Sequence, residues 1–298
     1  MIINRANMMD LFRGYQLVFN GAWQQAASLS DLVATTVPST GSEEHYAWLG
    51  TMPRFREWLG DRQIQNLAAH DFTIKNKTFE NTIGVKREHI EDDKYGLYNP
   101  MIQQLGMEAK THPDELVFQG LALNGASQKC YDGQNFFDTS HPVTAADGST
   151  TLVSNYGGGS GAPWYLLCTS RPIKPFIKQV RRAYNFQGMT SLDDEGVFMR
   201  NEYRYGVDAR LNVGYGLWQL AYMSKQTLDI TAYAAARAAM LSIKGNGGKV
   251  LNITPETLLV HPSLEKQAQD IVAAQRLANG QDNTMYGTAK VIVCPWLA

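Results

Sequence analysis

Charge is what this sequence has least of. Only 18% of its residues are Asp, Glu, Lys or Arg, against about 25% in ordinary soluble domains. The two signs nearly cancel, with 27 basic and 28 acidic residues and a formal net charge of -1. A dedicated nucleic-acid binder would be basic or carry a basic stripe, and there is no run of five or more like charges. Cysteine is scarce as well. Cys130, Cys168 and Cys294 are odd in number and widely spaced, with no CxxC, which argues against a disulfide framework or a structural zinc site and fits a reducing compartment. No window approaches the roughly 18 consecutive apolar residues of a membrane span. The opening MIINRANMMDLF lacks the apolar core of a signal peptide. A soluble, intracellular chain is expected. Its 298 residues, 44% of them hydrophobic, suffice for one large domain or two ordinary ones.

What is present begins with an amphipathic pattern over residues 4–28. Met8, Leu11, Phe12, Tyr15, Phe19, Ala22, Trp23 and Ala26 form one apolar stripe at helical spacing, and Asn7 is a candidate cap for a shorter version. Such a helix must dock, either on its own domain or on a neighbouring subunit. From residue 29 to 70 the period is lost. Pro38, Gly41, Gly50, Pro53 and Gly60 interrupt a stretch that carries Tyr46, Trp48, Phe55 and Trp58 among Arg54, Arg56, Glu57, Asp61 and Arg62. This is too aromatic for a solvated linker and too broken for a core. An arm lying on a partner, or an irregular loop over its own domain, would account for it.

Residues 72–86 alternate as strands, with Lys75-Asn76-Lys77 as the turn of an expected hairpin. Asn99 and Pro100 then read as the cap and first turn of a helix whose apolar spacing runs to Gly125, with a kink or a fresh start expected at Pro113. The next hundred residues are rich in loops and strands, including 165–168 and one or two strands between Val197 and Val213. Helices follow at Thr231–Lys244 and 263–277, and strands at 258–260 and the C-terminus. There is no βαβ rhythm and no internal repeat, so the fold class is α+β.

The search for chemistry is negative. The glycines of 157–161 lack a following helix because Pro163 intervenes, and KGNGGKV (244–250) lacks the Lys-Ser or Lys-Thr of a phosphate loop. The histidines show no HxH or HxxxH spacing, and the His89–Asp93 stretch reads as a charged loop before a helix. Asn76-Lys77-Thr78 and Asn252-Ile253-Thr254 match a glycosylation sequon without a secretory context. Cys130, Asp132 and His141 are the residues an enzyme would use. Without a local signature a structural thiol is the simpler reading, and a nucleophile with a histidine base is the rival. No catalytic residue, metal ligand or cofactor is assigned.

The residues themselves resemble a known family. MIINRANMMDLFRGYQLVF is similar to the start of the Mu-like major head subunit gpT of phages and prophages. The likeness continues through Ala34-Thr35-Thr36-Val37-Pro38, Trp48-Leu49-Gly50, 56–62 (REWLGDR), 72–76 (FTIKN), 90–93 (IEDD) and 112–117 (HPDELV). It goes on through 130–134 (CYDGQ), 136–138 (FFD) and His141-Pro142, and closes on 295–298 (PWLA). The resemblance implies a tailed-phage major capsid protein of the Hong Kong ninety-seven type fold. It implies an N-terminal arm over 1–40, an extended loop over 41–70, and peripheral strands with a spine helix over 71–124. An axial domain over 125–280 and a strand over 281–298 returning to the peripheral domain complete the expectation.

It further implies a non-enzymatic, self-assembling subunit located in the virion capsid and assembled in the bacterial host cytoplasm. Its hexamers and pentamers would enclose double-stranded DNA without sequence-specific binding. A charge-rich leader is lacking, so a separate scaffold protein is expected, besides a portal and decoration proteins; no membrane is involved. Trp23, Trp48, Phe55 and Trp58 are the expected inter-subunit anchors. Arg54, Arg56 and Arg62 would pair across the seam with Asp92 and Asp93. A tail or decoration protein is the alternative within phage structure.

Overall fold

The computed structural model of the chain describes residues 2–47, 49, 72–92, 94–191, 194–277 and 279–298. Helix α1 spans Arg5–Gln25. It is capped by Asn4, whose side-chain oxygen accepts the Asn7 N–H at 2.8 Å. Asn7 therefore lies inside the helix and is not the cap, because the stripe starts a turn earlier than Leu11 suggests. Short α2 (Ser30–Val33) leads into β1 (Ala34–Pro38), and β2 covers Glu43–His45. The start of α2 is held from a distance. Buried Asp114 accepts hydrogen bonds from the Leu29 and Ser30 N–H groups and the Ser28 hydroxyl at 2.6–2.9 Å, satisfying helix-end donors as a cap does.

β3 (Thr73–Lys75) and β4 (Lys77–Lys86) are not the expected hairpin. β3 pairs with β2, whereas β4 joins a different sheet. Asn76 makes the divergence possible. Its side chain donates to Ser39 Oγ and Gly41 O and accepts from Gln179 Nε2, so the residue is a junction and not a turn tip. After α3 (Arg87–Glu91) and a single turn at 95–98, α4 runs over Asn99–Glu115. Asn99 is already helical, at φ -53°, and is not the cap. Pro100 lies in the first turn, where its missing N–H costs nothing. Pro113 does not force a fresh start. The chain stays helical, with Leu116 N–H bonded to the carbonyls of His112 and Pro113, and widens to π-type winding over Leu116–Ala122.

Short strands β5 (His141–Thr144), β6 (Thr150–Val153), β7 (Tyr156–Gly159) and β8 (Trp164–Leu167) precede long β9 (Phe176–Met189). Short α5 (Glu195–Arg200) links β9 to equally long β10 (Glu202–Tyr215). Then come β11 (Ala221–Lys225), α6 (Ile230–Leu241), β12 (Thr257–Val260), α7 (Glu265–Val272) and β13 (Lys290–Val293). Two sheets dominate: a four-stranded one in the order β1-β9-β10-β4 and a five-stranded one in the order β13-β12-β8-β11-β7.

The two sheets solve different burial problems. β10 alternates strictly from Glu202 to Val213. Tyr203, Tyr205, Val207, Ala209 and Leu211 are buried, while Arg204, Asp208 and Arg210 occupy the other face. The buried face near Tyr203 and Tyr205 packs with α1 and α4 in a core that includes Tyr15, Phe19, Ile102, Leu105 and Phe186. β8 and β12, in contrast, are buried at every residue, as continuous apolar runs must be. They lie in a larger core with Tyr233 and Met240 of α6 and Ala268 and Ile271 of α7.

This sorts the C-terminal strand away from the place expected of it. Lys290–Val293 runs parallel to β12 in the five-stranded sheet and does not return to the strands of 71–124. It is an edge strand of that sheet, with Ile292 buried and Val291 and Val293 partly covered. Conversely, residues 176–215, expected within a separate domain over 125–280, supply the two central strands beside β4.

Candidate functional site

The one reactive-residue grouping expected from the sequence is assembled by the fold. Cys130, Asp132 and His141 lie on the loop before β5 and at its first residue. A tight turn at Gly133, with φ +82°, brings them together. Asp132 is the centre. Its Oδ1 accepts the Cys130 thiol at 3.1 Å and the Gln134 N–H at 3.0 Å, and its Oδ2 meets His141 Nδ1 at 2.6 Å. The other ring nitrogen, Nε2, faces Asn155 Oδ1 at 3.1 Å. Asn155 is held in that orientation because its NH2 group donates to the carbonyls of Phe136, Trp218 and Ala221. The imidazole is fully buried and stacks on the Trp218 ring, with 4.0 Å between centroids and 9° between planes.

That arrangement disarms the thiol. A nucleophilic cysteine needs a base or a positive charge beside the sulfur. Here burial, and then the Asp132 carboxylate, push the Cys130 thiol far above its ordinary range. Both histidine nitrogens face other acceptors, so neither takes the thiol proton. Burial also tends to raise the Asp132 carboxyl. The hydrogen bonds and charge of His141, with those from Cys130 and Gln134, outweigh it and hold the carboxyl below the usual range. Burial likewise raises Cys168, and lifts Cys294 to about 12.

The same three side chains are the one grouping among the described residues with metal-ligand donors close together. Tetrahedral zinc, with bonds of about 2.0–2.2 Å to nitrogen and oxygen, holds such ligands about 3.4 Å apart. The 2.6 Å between Nδ1 and Oδ2 is instead a direct hydrogen bond. Cys130, Asp132, His141 and Asn155 thus form a closed network that pins the 128–141 loop to the start of β11. The sequence showed Cys130, Asp132 and His141 close together, but nothing around Asn155 or Trp218 announced their part in the network.

The residues expected at subunit contacts are placed unevenly. Trp48, Arg54, Phe55, Arg56, Trp58, Arg62 and Asp93 lie outside the described residues. Trp23 is half-buried within its own chain. Its ring lies 5.3 Å from that of Tyr184, and Lys110 Nζ sits 5.5 Å from its centroid. The α1 stripe therefore docks first on its own subunit, through Phe19 stacked on Phe186 at 5.1 Å and Tyr15 edge-on to Tyr205 at 4.9 Å. Asp92 is exposed and lies 3.1 Å from Lys94. Other large apolar side chains of the described residues are left in solvent. Phe198 and Met199 of α5 are 85% and 68% exposed, Leu17 of α1 is 73% exposed, and Leu97 is 71% exposed. No helix of the described residues is long and apolar enough to cross a membrane.

Comparison with known proteins gives a consistent result. The model of the Mu-like prophage major head subunit gpT family matches residues 8–297. The major capsid protein of Escherichia phage Mu is 38% identical over 306 aligned positions that cover 100% of both chains. Among solved structures, a chain from the procapsid of bacteriophage JBD30 superposes with a TM-score of 0.89 and 46% identity, covering 99% of this chain and 100% of that one. A chain from the JBD30 capsid gives a TM-score of 0.78 and 32% identity, with 100% of both covered.

Proposed function

Since this chain belongs to the Mu-like prophage major head subunit gpT family, we propose that its subunits associate as hexamers and pentamers into an icosahedral shell around double-stranded DNA. The fold is of the Hong Kong ninety-seven type, and the function is that of a Mu-like major capsid protein, a structural component of the virion capsid. The observation that carries the shell reading is the superposition on a procapsid chain over essentially the full length of both. A shell needs large heterologous contacts repeated around quasi-equivalent positions. A charge-poor chain with large apolar side chains left exposed on α1 and α5 suits that demand.

In this reading α1, α4, β4, β9 and β10 make the peripheral part and the five-stranded sheet with α6 and α7 the axial part. Of the loop expected over 41–70, Glu43–His45 pairs with β3, and Tyr46 and Leu49 are buried in their own subunit; the rest reaches over a neighbour, where Trp48, Phe55 and Trp58 are the anchors. Trp23 contributes the part of its ring not already covered by Tyr184. Arg54, Arg56 and Arg62 pair with Asp92 and Asp93 across the seam. The exposed ion pair of Asp92 with Lys94 is worth little in the free subunit, so exchanging it for a contact between subunits costs little. A separate scaffold protein, a portal and decoration proteins are the partners, and assembly takes place in the host cytoplasm. The chain has no enzymatic role, in keeping with the disarmed thiol of Cys130.

Electron microscopy of the purified protein, expressed with and without a scaffold gene, tests this directly. Closed shells or hexamer-sized rings are expected. A uniform monomer or dimer under both conditions would overturn the shell reading. Alanine at Trp48, Phe55 or Trp58 should lower particle yield more than subunit solubility, and unchanged yield in all three would remove the anchor assignment.

A further inference from the structure

Eight tyrosines of the described residues are buried, and six of them have a hydrogen-bond partner for the hydroxyl. Tyr15 donates to Tyr95 O, Tyr165 to Ala122 O and Tyr215 to Leu121 O. Tyr46 bonds Gln179, Tyr131 bonds Gln219 and Tyr233 bonds Thr288. The two exceptions stand side by side on one face of β10. The hydroxyls of Tyr203 and Tyr205, each side chain fully buried, have no partner. An unpaired buried hydroxyl bears the whole desolvation penalty of the group. Phenylalanine would fill the same space without it.

Those hydroxyls lie in the layer where β10 meets α1, α3 and α4. Ile90, Ile102, Leu105, Tyr15 and Phe186 belong to the same core. The contacts of that layer are largely apolar and therefore non-directional. One packing is exchanged for another there without breaking a ladder of hydrogen bonds. This chain is also closer in shape to the JBD30 procapsid chain, at a TM-score of 0.89, than to the JBD30 capsid chain, at 0.78.

We infer that the unpartnered hydroxyls of Tyr203 and Tyr205 bias the subunit away from the conformation described here and toward a capsid form in which they acquire hydrogen-bond partners. The inference rests on the capsid function. The bias is local to β10, and it acts by destabilising the starting state. Removing either hydroxyl then stabilises the procapsid form and slows its conversion.

The test uses shells of the full-length chain carrying Tyr203→Phe, Tyr205→Phe or both, with Tyr15→Phe as the contrasting variant. Conversion is followed by cryo-electron microscopy of shells held at stepped temperatures, scoring the fraction of subunits that superpose on the capsid chain. Each single substitution on β10 should slow conversion about tenfold, equivalent to about 1.4 kcal/mol. The double variant should multiply the two effects. Tyr15→Phe, which removes a hydrogen bond already made, should not slow it. Conversion of the β10 variants at the wild-type rate or faster would overturn the proposal, as expected if an ordered water already partners the hydroxyls. So would a map of converted wild-type shells in which both oxygens still lack a polar atom within hydrogen-bond distance.

Discussion

Asp132 shows how much a single carboxylate organises. It receives a thiol, a backbone N–H and an imidazole, all within 3.1 Å. Asp132→Asn would leave His141 facing an amide at 0% exposure. Leaving a buried imidazole and a thiol without the carboxylate they donate to costs about 1–3 kcal/mol. Urea denaturation of the subunit should register a loss of that order, and a change under 1 kcal/mol would mean that the pair is not a stabilising unit. The carboxyl also sets an acid limit. Asp132 and Asp31, the latter held by Lys178 and Lys110 against the effect of its own burial, both titrate below the usual aspartate range. On acidification the unfolded chain takes up protons first, near pH 3.9. Their stabilisation is therefore complete above that value and is lost as pH falls through the folded pKa values. The denaturation midpoint should be insensitive to these groups from about pH 7 to 5 and fall below about pH 4. Asp132→Asn should flatten that fall, and an equally steep fall in the variant would locate the acid limit elsewhere.

Between elements, α1 and α4 approach closely at Gly106. A Cβ at Gly106 would lie 2.6 Å from Phe19 O and 3.1 Å from the Ala22 Cβ, whereas at Gly14 it would meet nothing within 4 Å. The same substitution should therefore act in opposite directions. Gly14→Ala gains up to about 1 kcal/mol of helix propensity. Gly106→Ala must push the helices apart, at about 1–3 kcal/mol against that gain. Thermal denaturation of the two variants reads the difference, and a stabilised Gly106→Ala would show that the helices are not in close contact. Elements of this kind were largely legible. The stripe from Met8 to Trp23, the alanine-rich α6 and the apolar strands β8 and β12 all lie where their local patterns put them. β9 was not visible, because Lys178, Gln179, Arg181 and Arg182 interrupt its alternation. Gln179 is buried by hydrogen bonds to Tyr46, Asn76 and Ile74 O, which come from distant parts of the chain. The false hairpin at Asn76 has the same origin: local turn chemistry cannot tell which sheet each flanking strand will join.

For the whole molecule, a near-zero net charge limits what the shell does to its contents. Affinity for duplex DNA rises with the number of phosphates neutralised and falls steeply with salt. Subunits of this composition should retard a DNA duplex weakly or not at all at physiological salt in an electrophoretic mobility assay. Tight binding would reveal a local basic face on the shell interior. The closed network around Cys130 bears on the molecule as a whole in another way. It was readable as three reactive residues close in sequence, but their role as a brace depended on Asn155 and Trp218, which only the fold brings to them.

The pairing of β1 with β9 sets an order of events during synthesis. Ala34–Pro38 has its strand partner in Phe176–Val180, and the stripe of α1 rests on Phe186 and Tyr205. At about 5–20 residues per second, the ribosome needs roughly 9–35 seconds to carry the chain from β1 to the end of β10. Throughout that interval the first helix has no sheet to lie on, and its aromatic side is open to any other nascent copy. A major shell protein is made in many copies at once, so the N-terminal third is where chaperones have most to do. Premature release near residue 170 should give an aggregating fragment, even though it carries most of α1's helical partners.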